Sequence, residues 1–492
     1  MKKNNFSPIN QKVKDISTKF NTSKEVAIIL AAGHGKRIKS QTSKMLHKIW
    51  EIPTVERVYN ACKNGIENIN TVIVVGIKAS DVMDVIGSRQ ANKFAYQEVQ
   101  NGTGHAVQVA LKEMENDFKD GIIYVLPGDM GLLDDSSMSQ FRNDFISSGN
   151  DMMVLTGIYD GDPMQNSYGR IIRTKDSNAS RNVIQIMEYK DILVLPEDDV
   201  YNVTYRNKTY SFTKQELIEI NEFNSGVYAF NYKKLLELIK NLSSDNAQNE
   251  IYITDLISLF NEKGYSVGAV SPKQQYVVMG FNNKSVLKEM DEIARRNVYE
   301  KLKDIIEIDN PDDFFIHDNV VNDLIELDKK GTPLDIKIGK GAYIGNGVKL
   351  NYNIEFGRAV YITGNIIFGK NVKVWRSVHI SCFENQTLKI GDNVKVLWGD
   401  IIKGNIEIDE NSIIESSVNL TGSDEFPLRI GKNVLIKGTS YLFGSIVEDG
   451  LTIEHSVIIK KIVKAEIDKS GNIKPVRFYL PETEGKELLN QI

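Results

Sequence analysis

The feature that most limits what this chain can fold into lies in its second half. After Leu334 short phrases recur: Ile338-Gly-Lys, Ile344-Gly-Asn, Phe356-Gly-Arg, Phe368-Gly-Lys, Ile390-Gly-Asp-Asn-Val, Ile408-Asp-Glu-Asn-Ser and Ile430-Gly-Lys-Asn-Val. Each sets an apolar residue before Gly or Asp, with another apolar residue two to four positions on. Such a hexapeptide rhythm builds a parallel β-helix, in which each coil buries its apolar residue on the coil before. An antiparallel sandwich is the competing solution, and the I-G-[KD]-N-V phrases favour the β-helix over residues 336–463. Excursions at 381–388 and 419–428 interrupt the rhythm. The tail, 464–492, carries strand-like pieces and a Lys469-Ser-Gly-Asn turn.

The first half has a different texture. An apolar run at residues 26–30 stops at Ala31-Ala32-Gly33, and a loop with His34, Lys36, Arg37, Lys39 and Lys44 follows, without an acid. Short apolar runs bounded by glycine read as buried parallel strands. A Gly-rich turn flanked by cations suits a polyphosphate. The loop matches neither GxxxxGK[ST] nor GxGxxG. Further buried strands are expected at 71–75, 122–126 (ending on Pro127-Gly128-Asp129) and 152–156, with a helix over 105–114. This alternation predicts an α/β domain, Rossmann-like, with a mostly parallel sheet covered by helices. Ligands bind such sheets outside the carboxyl ends of the strands. Both the 31–35 loop and Asp129 fall at such ends.

The 492 residues predict more than one domain. The expected order is an arm (1–24), a domain over 25–283, a linker helix and irregular segment (284–335), the β-helix and the tail. A net charge of −5 leaves no basic footprint for nucleic acid. No apolar run reaches the roughly 18 residues a membrane helix needs, and residues 1–24 lack the apolar core of an export signal. Cys62 and Cys382 read as free thiols. These features predict a cytoplasmic protein without membrane insertion.

The stretch LAAGHGKRIKSQTSKMLH resembles the signature of sugar-1-phosphate nucleotidyltransferases, LAAGxGTRMxSxxPKxLH. In order along the chain come Gln97-Glu-Val-Gln100-Asn-Gly102-Thr103-Gly-His-Ala, Gly128-Asp129, Tyr168-Gly169-Arg170-Ile171 and Glu188-Tyr-Lys-Asp. Asn224-Ser-Gly226, Asn246-Ala-Gln-Asn-Glu250-Ile-Tyr252-Ile-Thr254-Asp255 and Gly280-Phe-Asn282-Asn283 follow. Together they resemble the uridylyltransferase half of the bacterial bifunctional N-acetylglucosamine-1-phosphate uridylyltransferase/acetyltransferase family, over about residues 26–296.

That resemblance implies transfer of a uridylyl group from UTP to N-acetylglucosamine-1-phosphate, giving UDP-N-acetylglucosamine and pyrophosphate. It implies Mg²⁺ held by Asp129 and Asn282, with Arg37 and Lys44 as the catalytic cations facing the triphosphate. Leu30, Ala31, Ala32, Gly33, Gln97, Gln100, Gly102 and Thr103 would meet the nucleotide. Gly169, Glu188, Asn224 and Thr254 would hold the sugar. The C-terminal half would be a left-handed β-helix, a form that usually makes a homotrimer.

Several residues depart from the family. Ser43 stands where the family has proline, losing a φ restraint, and Lys36 stands where it has threonine. A polar, Tyr-rich insert at 191–219, with an expected hairpin, separates two sugar-side residues and leaves the sugar open. The acetyltransferase segments of the KAGH and GAGTxxxNYDG types are missing. His379 and His455 have no evident orienting partner, so acetyl transfer is not carried over. The rival readings are another sugar-1-phosphate such as glucose-1-phosphate, residual acetyltransferase activity, and a non-catalytic nucleotide-sugar sensor.

Overall fold

The computed structural model describes residues 8–33, 35–175, 182–246 and 248–481. Of the segments named above, residues 1–7 of the arm, His34 of the loop, Ala247 and residues 482–492 of the tail lie outside it, as does the Lys36 side chain. The chain divides into two units between Asp291 and Glu292, inside the helix Lys284–Leu302.

The first unit is built on a nine-stranded sheet. Its main path runs Val267–Val270, Met152–Ile158, Glu222–Asn231, Ile122–Pro127, Glu25–Ala31, Asn70–Val75 and Asn92–Tyr96. Glu25–Ala31 lies parallel between Asn70–Val75 and Ile122–Pro127. Side chains alternate across it, as a strand's period of two requires. Ala27, Ile29 and Ala31 join the core on one face, and Val26 and Ile28 the core on the other. Buried on both faces, the strand shows a continuous apolar run rather than an alternation. The sheet is not parallel throughout, because Glu222–Asn231 runs antiparallel to both neighbours. The arm carries one helix, Pro8–Ile16.

The insert forms the expected hairpin, Val200–Tyr205 with Lys208–Thr213. Its turn residues Arg206 and Asn207 both have positive φ, as a two-residue hairpin loop demands. With the helix Lys214–Glu219 it closes a separate small core of Ile192, Tyr210, Phe212, Leu217 and Ile218 over Ile172 and Ile184.

The second unit consists of three all-parallel ladders of nine, eight and seven short strands, the parallel β-helix expected from the repeats and consistent with the left-handed form that the resemblance implies. In one ladder Ile338, Phe356, Val374, Val396, Ile414, Ile436 and Ile453 stack coil on coil, all buried. The asparagine of the repeated phrase has a definite role. Asn353, Asn371, Asn393, Asn411 and Asn433 all adopt left-handed backbone at one corner, which asparagine tolerates better than most residues. Their carboxamides also chain together: Asn353 Nδ2 donates to Asn371 Oδ1, Asn371 to Asn393 and Asn393 to Asn411, each at 2.9 Å. The two excursions meet, with Asn385 and Gln386 donating to Asp424 at 2.8 and 3.0 Å.

Residues 306–335, irregular by their sequence pattern, already hold strands of the first coil. Glu307–Ile308 pairs with Lys337–Ile338, and Phe315–Ile316 with Tyr343–Ile344. The helix Asp318–Asp328 follows. Two-residue strands are too short to carry a readable periodicity. At the other end, Ile453 pairs with Val476 of the tail. Among the described residues, no helix is long and apolar enough to cross a membrane.

Candidate active site

A cleft of about 1090 Å³ opens in the first unit at the carboxyl ends of the central strands. Its lining residues come from stretches far apart in sequence, running from Leu30 to Asn282.

One end is cationic. Beyond Glu25–Ala31 the chain makes two single 3₁₀ turns, Lys36–Ile38 and Lys44–Leu46. The second starts after Ser43, whose φ of −55° and ψ of 140° are values a proline would impose. The fold therefore supplies the restraint that the missing proline would have given. Lys44 Nζ donates to the Asp129 carboxylate and, at 3.1 Å, to Asn282 Oδ1. It also lies 5.2 Å from the centre of the Phe281 ring. Asp129 follows Ile122–Pro127, and Asn282 precedes the helix Lys284–Leu302, so three distant segments converge on one point. Asn283 caps that helix, its Oδ1 accepting from Val286 N at 2.9 Å. Arg37 is exposed and lines the cleft. Asp129 and Asn282 offer two hard oxygens within reach of one centre. This donor set fits Mg²⁺, which keeps several waters and takes few protein ligands.

A second wall holds Gln97, Gln100 and Gly102. Gln97 is 3% exposed. Its Nε2 donates to Gly102 O at 3.2 Å and meets His105 Nδ1 at 3.2 Å. Gln100 Nε2 donates to Gln97 O at 2.9 Å. Gly102 has φ of +97°, and a Cβ there would sit 2.5 Å from Ile251 O, so only glycine lets the 249–255 segment approach. Thr103 opens the helix Thr103–Met114, and its Oγ1 accepts from Ile253 N at 3.2 Å. Leu30, Ala32 and Gly33 also line the cleft. Ala31 does not: alternation along its strand turns its methyl into the core, so its expected nucleotide contact can come only from backbone.

The third region carries acids and amides. The ladder between Glu222–Asn231 and Met152–Ile158 slips between Asn224 and Val227. Such a bulge re-aims a side chain. Asn224 Oδ1 accepts from Gly226 N and Tyr228 Oη, both at 2.9 Å, which leaves Nδ2 as the end available to a ligand. Gly169 lies behind this wall rather than on it. Its O accepts from Asn224 N at 2.9 Å, and a Cβ on it would come within 3.2 Å of Glu188 Oε1. Glycine thus makes room for the Glu188 carboxylate. Burial raises the Glu188 carboxyl to about 7, with Asp191, Asp255 and Glu250 adding to the rise. Burial and then Asp191 raise Asp255 to about 6. Thr254 Oγ1 is buried with no partner.

The structure adds residues that the motifs did not assign. Lys190, Tyr228, Glu250 and Ile253 line the cleft. Tyr228 lies just beyond the Asn224-Ser-Gly226 motif, and only the bulge brings its hydroxyl back to Asn224. Arg170, though inside a motif, is fully buried. It donates to the carbonyls of Tyr168, Pro163 (3.1 Å), Asn166 (2.9 Å) and Ile218 (3.4 Å), which makes it a clamp on loops rather than an anion ligand. None of residues 191–219 lines the cleft. The insert reaches its edge through the Asp191 charge and through the Asp191 and Ile192 amides, which donate to the Glu188 carbonyl at 2.9 and 3.1 Å.

Two histidines of the second unit, His379 and His455, meet hydroxyls. His379 Nε2 lies 3.1 Å from Ser381 Oγ, its ring stacked on Tyr361, and burial and then Lys403 lower its pKa. His455 Nδ1 lies 2.8 Å from Thr439 Oγ1, its ring stacked on Phe478.

Comparison with known proteins agrees with this architecture. The nucleotidyl transferase family model matches residues 26–278. The bifunctional protein GlmU of Acetivibrio thermocellus is 34% identical over 297 residues, covering 60% of this chain and 57% of that protein. That of Caldanaerobacter subterraneus is 32% identical over 343 residues, 67% of each chain. That of Streptococcus thermophilus is 36% identical over 272 residues, 55% of this chain and 52% of that protein. The chain therefore spans between about half and two thirds of the length of these relatives. With more than half of its residues inside the matched model, the chain belongs to the nucleotidyl transferase family.

Proposed function

We propose that the first unit transfers a uridylyl group from UTP to N-acetylglucosamine-1-phosphate and releases pyrophosphate. One observation carries this reading: Lys44, Asp129 and Asn282 meet at one end of a single cleft that also presents Gln97 and Gln100, and Glu188, Asn224 and Thr254. A cationic end, an amide wall and a hydroxyl-binding wall are what a triphosphate, a uracil edge and a sugar require. An amide side chain supplies both the donor and the acceptor that uracil needs.

In this reading a phosphate oxygen of the sugar-1-phosphate attacks the α-phosphorus, and the bond to the β-phosphate breaks. Both reactants are anions, so the chain's work is positioning and charge neutralisation. Arg37 presents a planar fork to phosphate oxygens and Lys44 a point charge. The Asn224 amide and the Glu188 and Thr254 oxygens orient the sugar. Mg²⁺ held by Asp129 and Asn282 would supply further neutralisation of the phosphates. The insert's absence from the cleft wall supports leaving the acetamido sugar as the first choice over glucose-1-phosphate. The β-helix is read as an assembly element, with a homotrimer expected and acetyl transfer not proposed. Free Cys62 and Cys382 suit the cytoplasm, where UTP is available.

The test is pyrophosphate release from the purified chain with UTP and Mg²⁺ across a panel of sugar-1-phosphates, with Asp129→Ala alongside. N-acetylglucosamine-1-phosphate should turn over best, and the variant should lose at least about 100-fold. No turnover with any sugar phosphate, while UTP still binds, would replace the enzyme reading by the sensor.

A further inference from the structure

The wall that carries Asn224 turns on an irregularity in the sheet. Between Asn224 and Val227 the register of Glu222–Asn231 against Met152–Ile158 shifts. Gly226 has φ of +84°, and a Cβ on it would come within 2.8 Å of Pro127 Cγ, so the bend requires glycine. Polar groups around the slip are satisfied locally. Ser225 is buried; its hydroxyl donates to Leu155 O and accepts from Val227 N at 3.1 Å. A bulge hydrogen-bonded in this way holds the side chains on either side of it in fixed directions.

Two donors converge on Asn224 Oδ1: Gly226 N and Tyr228 Oη, each at 2.9 Å. The Gly226 N–H can only donate, so the atom that faces it is the carboxamide oxygen and not the nitrogen. That oxygen has two lone pairs. With the Tyr228 bond in place both are used, and a ligand at this wall meets only the Nδ2 donor. Tyr228 is fully buried, its ring tilted against Phe230 with the centres 5.8 Å apart, so a packed body carries the hydroxyl. A phenylalanine would fill the same space, as Phe230 does two positions on. The hydroxyl is the part of this side chain that packing alone does not call for, and a buried phenol needs a partner. Burial, and then the Glu188 charge, push the phenol pKa above its usual value, so the donating proton stays in place at neutral pH.

We propose that Tyr228 is a positioning residue for sugar recognition: its hydroxyl occupies the second lone pair of Asn224 Oδ1 and presents the carboxamide to the sugar as a donor only. The inference rests on the uridylyl-transfer reading for the identity of the ligand, but not for the coupling of the two side chains. A donor-only amide selects a ligand oxygen that can accept, a hydroxyl or an acyl carbonyl, and rejects a group that can only donate. Without the phenol hydroxyl, one lone pair of Oδ1 would be left without its donor. The amide would also lose one of the two bonds that restrain its rotation, and its hold on the sugar would weaken.

The experiment is a double-mutant cycle on the full chain, with Tyr228→Phe, Asn224→Ala and the two combined, read by calorimetric titration with UDP-N-acetylglucosamine and, separately, with UDP. Tyr228→Phe should weaken the nucleotide-sugar about fivefold, the worth of one neutral hydrogen bond, and leave UDP within about twofold. In the Asn224→Ala background the same substitution should change the nucleotide-sugar by less than about twofold, because the group it acts through is gone. Asn224→Asp, which keeps an acceptor for both donors and has no donor of its own, should weaken the nucleotide-sugar at least about tenfold. In the transfer assay Tyr228→Phe should raise the KM for sugar phosphate while the KM for UTP and kcat stay within about twofold. An equal effect of Tyr228→Phe in both backgrounds, or an equal loss of UDP and nucleotide-sugar, overturns the inference even if transfer is robust. So does full nucleotide-sugar affinity in Asn224→Asp. Coupling in the cycle for a chain that turns over no sugar phosphate sustains the inference and defeats the transfer reading.

Discussion

Replacing Asp400 by asparagine should stabilise the β-helix at neutral pH and remove a pH dependence from its unfolding. Asp400 is completely buried. The paired strands place it between Val378 and Val418, so a carboxyl occupies a position that neighbouring coils fill with valine. Oδ1 accepts from Val418 N at 2.8 Å, and Oδ2 has no partner. Burial raises the carboxyl from 3.8 to about 8, outweighing the backbone hydrogen bonds that favour the anion. The folded state thus holds a proton that the unfolded chain releases near its ordinary value of 3.8. Between those values the unfolded state binds fewer protons, so stability falls as pH rises, by about 1.4 kcal/mol per unit. The loss is absent below the unfolded value, about 1 kcal/mol at pH 4.5 and about 4 kcal/mol at pH 7, and it levels off above the folded value. Asparagine keeps the accepting oxygen and cannot ionise. Urea unfolding at pH 4.5, 6 and 7.5, followed by tryptophan emission, would measure this. A Trp50→Phe background leaves only Trp375 and Trp398, both in the second unit, as reporters. The variant should gain progressively on the parent as pH rises. Parallel stabilities across the three pH values would refute the argument.

Two further outcomes are expected. Asn393→Ala removes two rungs of the asparagine chain and puts a β-carbon without a compensating carboxamide at φ of +61°. It should cost about 1–2 kcal/mol of second-unit stability by the same unfolding assay, and Asn393→Gly should cost less. In the transfer assay, a Glu188 carboxyl near 7 loses its ionised, hydroxyl-accepting form as pH falls. From pH 8 to pH 6 that form drops about tenfold. The parent's kcat/KM for sugar phosphate should fall correspondingly relative to Glu188→Gln, and an unchanged ratio would remove Glu188 from sugar binding.

Much of this protein is legible in its amino-acid sequence. The apolar runs that form Glu25–Ala31, Asn70–Val75 and Ile122–Pro127 are buried on both faces, so burial is written directly in their composition. The hairpin turn at Arg206-Asn207 and the coil corners at asparagine follow from local backbone preference. Less legible are the two-residue strands at Glu307 and Phe315, whose pairing comes from coils distant in sequence, and the turning of Ala31 away from the cleft. Arg170 is the sharpest case. Its place in the Tyr168–Ile171 motif gives no sign that the loops around it fold back to offer the guanidinium four carbonyls.

The order of elements, the division into an α/β half and a repeating half, and the chemical types present at each motif are determined by the sequence itself. They depend on period, turn chemistry and residue type, all of which act over a few neighbouring positions. Which of those residues share a site was decided only by the tertiary structure. Lys44, Asp129 and Asn282 meet because a parallel strand, its neighbour and a distant helix start end at one edge of the sheet. Asn224 turns its amide to the cleft because one ladder slips at Gly226. The pKa values of Glu188 and Asp400 are likewise products of packing, since desolvation is set by everything that surrounds a group and not by the residues beside it in the chain.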